Sequence, residues 1–411
     1  MNLAPLADEV MSRCDALAGC SDEPGRLTRL FLGAGTRQAH ELLRQWMKAA
    51  NLGVRLDAVG NLIGRRTGTN TNGKIVLVGS HIDTVPNAGR YDGQLGILLG
   101  IAICEALKRK AFPRPFDVIA FSEEEGVRYR KPYLGSAAIA GQFDAKWLDL
   151  QDESGKAVRQ AIAEYGLDPK KIGASSYAPQ NIAGYIEAHI EQGPLLESRD
   201  LSLGVVTGIV GQSRIWIRFV GRANHAGTTP IQMRHDALCA AAEFISGVET
   251  AAWRTSQLRA TVGSMDVLPG AANVIPGTVR LSVDIRHADD HVRQRAVKEL
   301  SEKAKQIAEA RGLEVSIETA MDQAALLSDE KLTDRLAAVL QKSGRAGYRM
   351  VSGAGHDAVM MSRLCPTTML FLRTPNGLSH HPDEAVRRDD VVAALQVLVE
   401  FVSQELSVID P

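Results

Sequence analysis

His81 and Asp92 stand eleven residues apart. The first closes a run rich in Val and Ile (IVLVGSH), and the second opens an amphipathic helical pattern. A buried strand ending in histidine, followed by an aspartate at a helix start, brings nitrogen and oxygen ligands to one sheet edge. Open α/β sheets place their chemistry there. Three further stretches carry donors of the same kind. Ser122-Glu123-Glu124-Glu125-Gly126 follows the apolar run FDVIAF. Three adjacent carboxylates at the end of a buried strand repel one another and resist desolvation unless a cation neutralises them. A solvated acidic loop would have the same composition. In Glu187-Ala188-His189-Ile190-Glu191, period two puts Glu187, His189 and Glu191 on one strand face. Gly377-Leu378-Ser379-His380-His381-Pro382 sets two histidines in a turn. A closed zinc site needs about four ligands. His81, Asp92, one Glu of the triplet, His189 and one His of the pair exceed that number. With Asp92 as a bridge, they suit two divalent ions roughly 3.5–4 Å apart, as in co-catalytic hydrolases. His40, His235, His287 and His291 lie in polar contexts without such neighbours and read as exposed or locally hydrogen-bonded.

The elements that must position these groups fall into two patterns. Strand-like runs at 75–81, 116–121, 184–190 and 203–210 alternate with helical spacing such as Leu95, Leu98, Leu99, Ala102, Ile103 and Ala106. This predicts a mainly parallel central sheet with helices on both faces. The pattern changes near residue 212, where Ile215, Ile217 and Phe219 alternate with Arg214, Trp216 and Arg218, as in a half-exposed antiparallel strand. Helices at about 237–248 and 290–311, with strands at 259–265, 279–285 and 313–319, complete an inserted α+β block of four strands and two helices. Helix and strand patterns then resume at 331–341, 368–372 and 391–403.

Composition narrows the function classes. The chain has 411 residues, 45% apolar and 23% charged, enough for two domains at about 100–200 residues each. Its 47 basic and 48 acidic residues leave a net charge of -1. That balance offers no field for nucleic acid or an anionic membrane. The five cysteines (Cys14, Cys20, Cys104, Cys239 and Cys365) are scattered without a C-x-x-C, which argues against a disulfide framework. The start MNLAPLADEVMSRCD lacks the basic and apolar regions of a signal peptide. The most apolar stretch, 96–104, is about half the length needed to span a bilayer. A cytoplasmic location is the simplest expectation.

GSHIDTV, the aspartate of GRYDGQLG, EEEGVRY, AHIEQGP, NHAGTTP, NVIPG, DIRH, SGAGHDA and GLSHHP occur in this order. The set resembles the ureido-amidohydrolase branch of the dinuclear aminoacylase/carboxypeptidase-like metallopeptidases. That branch holds allantoate amidohydrolase, N-carbamoyl-L-amino acid hydrolase and β-ureidopropionase. The resemblance implies a catalytic domain over 1–211 and 327–411, with a lid and dimerisation domain over 212–326. It makes His81, Asp92, Glu125, His189 and His380 the ligands of two divalent ions, Mn or Zn, with Co or Ni also suited to such donors. Asp92 bridges and Glu124 is the general base. Asp83 would hydrogen-bond the His81 imidazole and fix its tautomer. The triplet permits a slip by one residue, although the Glu-Glu-Gly order favours this assignment; the doublet permits His381, although Ser-His-x-Pro favours His380.

In the inserted domain, the resemblance implies that His225 reaches across a homodimer to polarise the scissile carbonyl. Read from its neighbours alone, His225 is a turn histidine bonded to the Thr228 and Thr229 backbone. Arg286 would grip a substrate carboxylate in a bidentate fork, where composition alone reads a surface ion pair. Asn273, Gln212 and Gln192 would bind polar groups of the substrate. His356 is a further candidate, its glycines otherwise serving close backbone approach. The implied reaction is hydrolysis of a ureido C–N bond in a small carboxylate. The Glu-Glu-Glu-Gly run with HIEQG and IVGQ resembles the allantoate enzymes most, with N-carbamoyl-L-amino acid hydrolase or β-ureidopropionase as the alternative. Arg128-Tyr129 departs from a common Arg-Phe pair at what the resemblance makes a pocket wall. An aminoacylase or peptidase would share the metals but not the HAGTTP, NVIPG and DIR trio.

Overall fold

A computed structural model describes residues 2–407. The chain divides into two compact units, Met1–Thr207 with Ser328–Pro411, and Gly208–Leu327. In chain order the strands are β1 (Gly53–Leu56), β2 (Leu62–Arg66), β3 (Ile75–His81), β4 (Phe116–Phe121), β5 (Ile182–Ile190), β6 (Leu203–Ile209), β7 (Gly211–Val220), β8 (Asn224–His225), β9 (Arg259–Leu268), β10 (Val274–Ile275), β11 (Thr278–His287), β12 (Glu314–Gln323), β13 (Leu326–Leu327), β14 (Arg349–Ser352) and β15 (Thr367–Leu372).

The first unit is built on a sheet in the order β1-β2-β4-β3-β5-β15-β6, with β14 also beside β6. The four strands β4, β3, β5 and β15 are mutually parallel, and antiparallel strands flank them on both sides. β3 and β4 are buried along their whole length, as expected for parallel strands covered on both faces. The apolar helix Gln94–Ala106 is buried from Gln94 to Cys104. It packs on β3 and against the helices Ala4–Ala18 and Arg388–Ser407. That burial fixes the start of the helix, and hence Asp92, against the end of β3.

The second unit carries an antiparallel sheet in the order β12-β7-β11-β9. Alternation decides its faces. Ile215, Ile217, Phe219, Val279, Leu281, Val283 and Ile285 are buried, whereas Arg214 and Arg218 are exposed. The helices Ala237–Arg254 and Asp290–Ala310 supply the other half of this core, and each is capped by an aspartate, Asp236 and Asp289, accepting from its first turn. The sequence pattern starts this unit at 212 and ends it at 326. The chain changes unit slightly outside those limits because Gly208 and Ile209 already pair with Leu327 and Leu326.

Candidate active site

The donors converge at the C-terminal edge of the parallel strands. His81 is the last residue of β3, the Glu triplet follows β4, His189 is next to last in β5, and His380 lies in the turn after β15. Asp92 sits between them and is buried. Its Oδ1 lies 3.4 Å from His81 Nε2 and 3.2 Å from His189 Nε2. Its Oδ2 lies 3.2 Å from His380 Nε2, which in turn is 3.5 Å from Glu125 Oε1. One carboxylate thus faces two separate donor sets.

The tautomers follow from the hydrogen bonds. His81 Nδ1 meets the Asp83 carbonyl at 3.0 Å, and His189 Nδ1 meets the Ile190 carbonyl at 2.9 Å. A carbonyl only accepts, so both Nδ1 atoms carry the hydrogen. Both Nε2 lone pairs then face one another at 3.4 Å. They also face Asp92 Oδ1, a buried atom with no hydrogen-bond partner among the described residues. Lone pairs set against lone pairs call for a cation or for protons. Burial, the largest influence, pulls the His81 and His189 pKa values down, yet Asp92 outweighs it and leaves both raised. His380 is raised to about 9 by its bond to Asp92. Burial pushes Glu125 up to about 7, with the Asp92 charge adding to it, and pushes Glu124 well above the usual carboxylate range. The facing lone pairs fit divalent ions, and the nearest ligand groups are His81–Asp92–His189, His81–Glu124–Glu125 and Asp92–Glu125–His380.

The triplet divides its work. Glu123 turns away, its carboxylate accepting from the Arg128 and Tyr129 backbone at 3.0 and 3.3 Å. Glu124 and Glu125 face the centre, and Asp83 fixes their backbone: its carboxylate accepts Glu124 N–H at 2.9 Å and Glu125 N–H at 3.0 Å. This corrects the role expected for Asp83. Its side chain stands 3.7 Å from His81 Nδ1, and the bond that sets the tautomer comes from its backbone carbonyl. Glu187 and Glu191 share the face of His189 but serve elsewhere. Glu187 accepts from Ser80 Oγ and Ala358 N–H, and Glu191 takes the N–H groups of Leu195 and Leu196.

His380, not His381, points to Asp92. His381 Nδ1 instead accepts Asp383 N–H at 3.2 Å. Gln192 donates Nε2–H to Asp92 Oδ2 at 3.0 Å, so its amide steadies the Asp92 carboxylate. His356 is buried with Nε2 3.0 Å from Ser352 Oγ, and its ring meets His189 edge-on at 4.4 Å between centroids. Burial, then the nearby His189, holds its pKa well below the ordinary value, so the ring presents an uncharged edge. Arg128 lines a cavity with Leu32, Arg37, Lys156, Glu164 and Tyr165, none of them among the candidate ligands. Arg128 binds Asp152 and the Phe31 carbonyl, and Tyr129 packs edge-on against Phe31 in a buried cluster. His40, expected exposed or locally bonded, is buried with Nδ1 2.9 Å from the Tyr165 hydroxyl.

The remaining candidates lie in the second unit. His225 is exposed, and its Nδ1 accepts the N–H groups of Gly227 and Thr228 at 3.1 and 3.2 Å. That turn bonding leaves the hydrogen on Nε2, so the turn makes the ring an outward donor. Asn273 accepts Ala226 N–H through its carbonyl, beside the β8–β10 pairing of His225 with Val274. Arg286 stands opposite Gln212 in the β11–β7 register. Its guanidinium pairs with Asp284 at 2.6 and 3.2 Å, and Gln212 is buried.

Two residues without a motif of their own complete the site. Arg29, fully buried, donates to the carbonyls of Cys20 and Ile82 and to Gln94 Oε1, holding the turn after His81. Glu384, also buried, accepts from the Tyr91 and Asp92 backbone.

Residues 77–404 match the peptidase family M20/M25/M40. A probable allantoate deiminase of Oryza sativa subsp. japonica is 39% identical over 97% of this chain and 88% of that protein. An N-carbamoyl-L-amino acid amidohydrolase of Geobacillus stearothermophilus is 38% identical over 92% of this chain and 93% of that one. Among solved structures, a hydantoinase/carbamoylase-family amidase of Burkholderia multivorans superposes with a TM-score of 0.91 at 30% identity, covering 98% of both chains.

Proposed function

The chain belongs to the M20/M25/M40 peptidase family, and from that premise we propose that it is a metal-dependent amidohydrolase cleaving the ureido C–N bond of a small carboxylate, allantoate first. The observation that carries the reading is Asp92, whose two oxygens face His81 with His189 on one side and His380 with Glu125 on the other. Those five residues would hold two divalent ions, Mn or Zn, which when bound supply Lewis-acid polarisation and a more acidic water. Glu124 takes a proton from the attacking water as its oxygen bonds to the ureido carbon. His225 donates Nε2–H to the developing oxyanion from a partner copy, and Arg286 receives the carboxylate, with Gln212, Asn273 and His356 on the polar groups. Glu124 returns its proton to the leaving nitrogen as the C–N bond breaks. Ammonia departs, and the remaining carbamate loses CO2.

The second unit serves as lid and dimerisation surface in this reading. A reducing, cytoplasmic setting goes with the free thiols. No helix among the described residues is long and apolar enough to cross a membrane. Hydrolysis of N-carbamoyl-L-amino acids is the second reading, favoured by the Geobacillus relative, which matches at nearly the identity of the rice protein. The test is ammonia release from allantoate, N-carbamoyl-L-amino acids and β-ureidopropionate by chelated enzyme reloaded with Mn. Allantoate should give the highest kcat/KM, and a higher value for a carbamoyl amino acid would move the substrate while leaving the site intact. Glu124→Gln should keep its metal and lose roughly 10²–10⁴-fold in kcat; retained turnover would remove Glu124 as the base.

A further inference from the structure

Glu384 has no ligand or base role in the reading above, yet its carboxylate joins two segments that carry ligands. Its Oε1 accepts the N–H groups of Tyr91 and Asp92 at 2.9 and 3.0 Å. Its Oε2 accepts from Ser379 Oγ at 3.0 Å, and that hydroxyl lies 3.4 Å from Asp92 Oδ2. The Glu384 N–H donates to the His381 carbonyl at 3.0 Å, and the Ser379 bond closes the 379–384 turn around His380.

That turn needs holding from within. His380 has φ +56, a left-handed conformation that non-glycine residues rarely adopt, and its side chain is about half exposed, so packing alone does little to orient it. The chain also makes room for Glu384. A Cβ on Gly89 would stand 2.3 Å from Glu384 Cβ and 2.6 Å from Oε1.

We propose that Glu384 is a positioning residue for one of the two cation sites, the one between Asp92 Oδ2, Glu125 and His380, by bonding the Asp92 backbone to the His380 turn. The inference rests on the dinuclear reading and adds an asymmetry to it: the His81–His189 side takes the orientation of its two imidazoles from backbone carbonyls of its own and reaches Glu384 only through the shared Asp92.

The test titrates Mn into the chelated full chain by calorimetry, with thermal melting alongside. Wild type should take two ions. Glu384→Ala should weaken one of them by roughly 10–100-fold, the usual effect of removing an outer-shell partner, and weaken the other clearly less. Ser379→Ala, which removes only the hydroxyl arm, should weaken the same ion by less, and it carries the test if Glu384→Ala does not fold. Glu384→Gln keeps an acceptor for the two N–H groups and should rescue part of the loss. Equal weakening of both ions, or two wild-type affinities in the variants, would overturn the inference. A wild-type chain that takes fewer than two ions would instead overturn the dinuclear reading, and this inference with it.

Discussion

Changing Asp83 to Asn separates two accounts of how this site is held. The side chain is buried, with one oxygen on Glu124 N–H and the other on Glu125 N–H. An amide has one acceptor oxygen, so its NH2 group must face one of those N–H donors. One hydrogen bond to a charged acceptor is lost, worth about 1.5–3 kcal/mol, and the other becomes neutral. The turn carrying Glu124 then relaxes away. A displacement of about 1 Å at a reacting group costs on the order of 10²-fold in rate. The His81 tautomer is unaffected, because its Nδ1 hydrogen goes to the residue 83 carbonyl, which the substitution keeps. The expected result is therefore a kcat lower by about 10²-fold, with the ion on the His81–His189 side bound as in wild type. Steady-state kinetics on Mn-saturated enzyme, paired with metal analysis after gel filtration, reads both quantities. If Asp83→Asn instead sheds metal and recovers wild-type kcat once metal is resupplied, the side chain acts through His81 and the reasoning fails.

Two more outcomes follow from the geometry. A Cβ on Gly93 would stand 2.5 Å from ring atoms of His81, at φ +69 and ψ −60, so Gly93→Ala adds about 1–3 kcal/mol of backbone strain and displaces the ring. Calorimetry should find Mn affinity at that side lower by roughly 10–100-fold, and wild-type affinity would mean that the ring has room to yield. His40 should make stability depend on pH. Burial, then the Arg44 charge, holds its folded pKa down to about 3 against an ordinary 6.5. The unfolded chain therefore binds the proton first, and this stability is present above about 6.5 and fades towards about 3. At pH 5 the loss is about 2 kcal/mol. His40→Gln should flatten the fall in urea midpoint between pH 7 and 5, and an identical fall in both proteins would refute the assignment.

The sequence makes legible what sits at strand ends. His81, the Glu triplet and His189 each close an apolar run, so their shared edge follows from a parallel sheet, and the observed β4-β3-β5-β15 order puts them there. The antiparallel unit was legible for the related reason that alternation in β7 and β11 separates a buried face from a wet one. What stayed hidden are side chains whose partners lie far off in sequence. Arg29 in the stretch GRLTRL looks like a surface cation, yet it donates to Ile82 and Gln94 across more than fifty residues. Glu384 meets Asp92 across 292, and His40 meets Tyr165 across 125. Periodicity holds no trace of such pairings. Asp83 misled for a different reason: the bond to His81 comes from its carbonyl, which every residue type carries.

Substrate choice has to be made away from the ligands. The Asp92-centred donors and Glu124 would serve any ureido carbonyl equally, so they cannot tell allantoate from a carbamoyl amino acid. The one sequence departure expected to reshape a pocket wall, Arg128-Tyr129, puts Arg128 on Asp152 and the Phe31 carbonyl and Tyr129 in a buried cluster with Phe31. Gln192 is already committed to Asp92. In the proposed reading, the groups left for the rest of a substrate are the uncharged edge of His356 and, in the second unit, Arg286, Gln212, Asn273 and His225. There, Arg286 and Gln212 face each other on adjacent strands, while His225 and Asn273 are tied through a two-stranded ribbon and its turn. Each pair is fixed by backbone hydrogen bonding within its own sheet or ribbon. Allantoate and the carbamoyl α-amino acids both carry the carboxylate and the ureido group on one carbon, so the spacing of those two groups is shared. They differ in that carbon's other substituent, a second ureido group against a side chain, and discrimination has to fall on the groups that meet it.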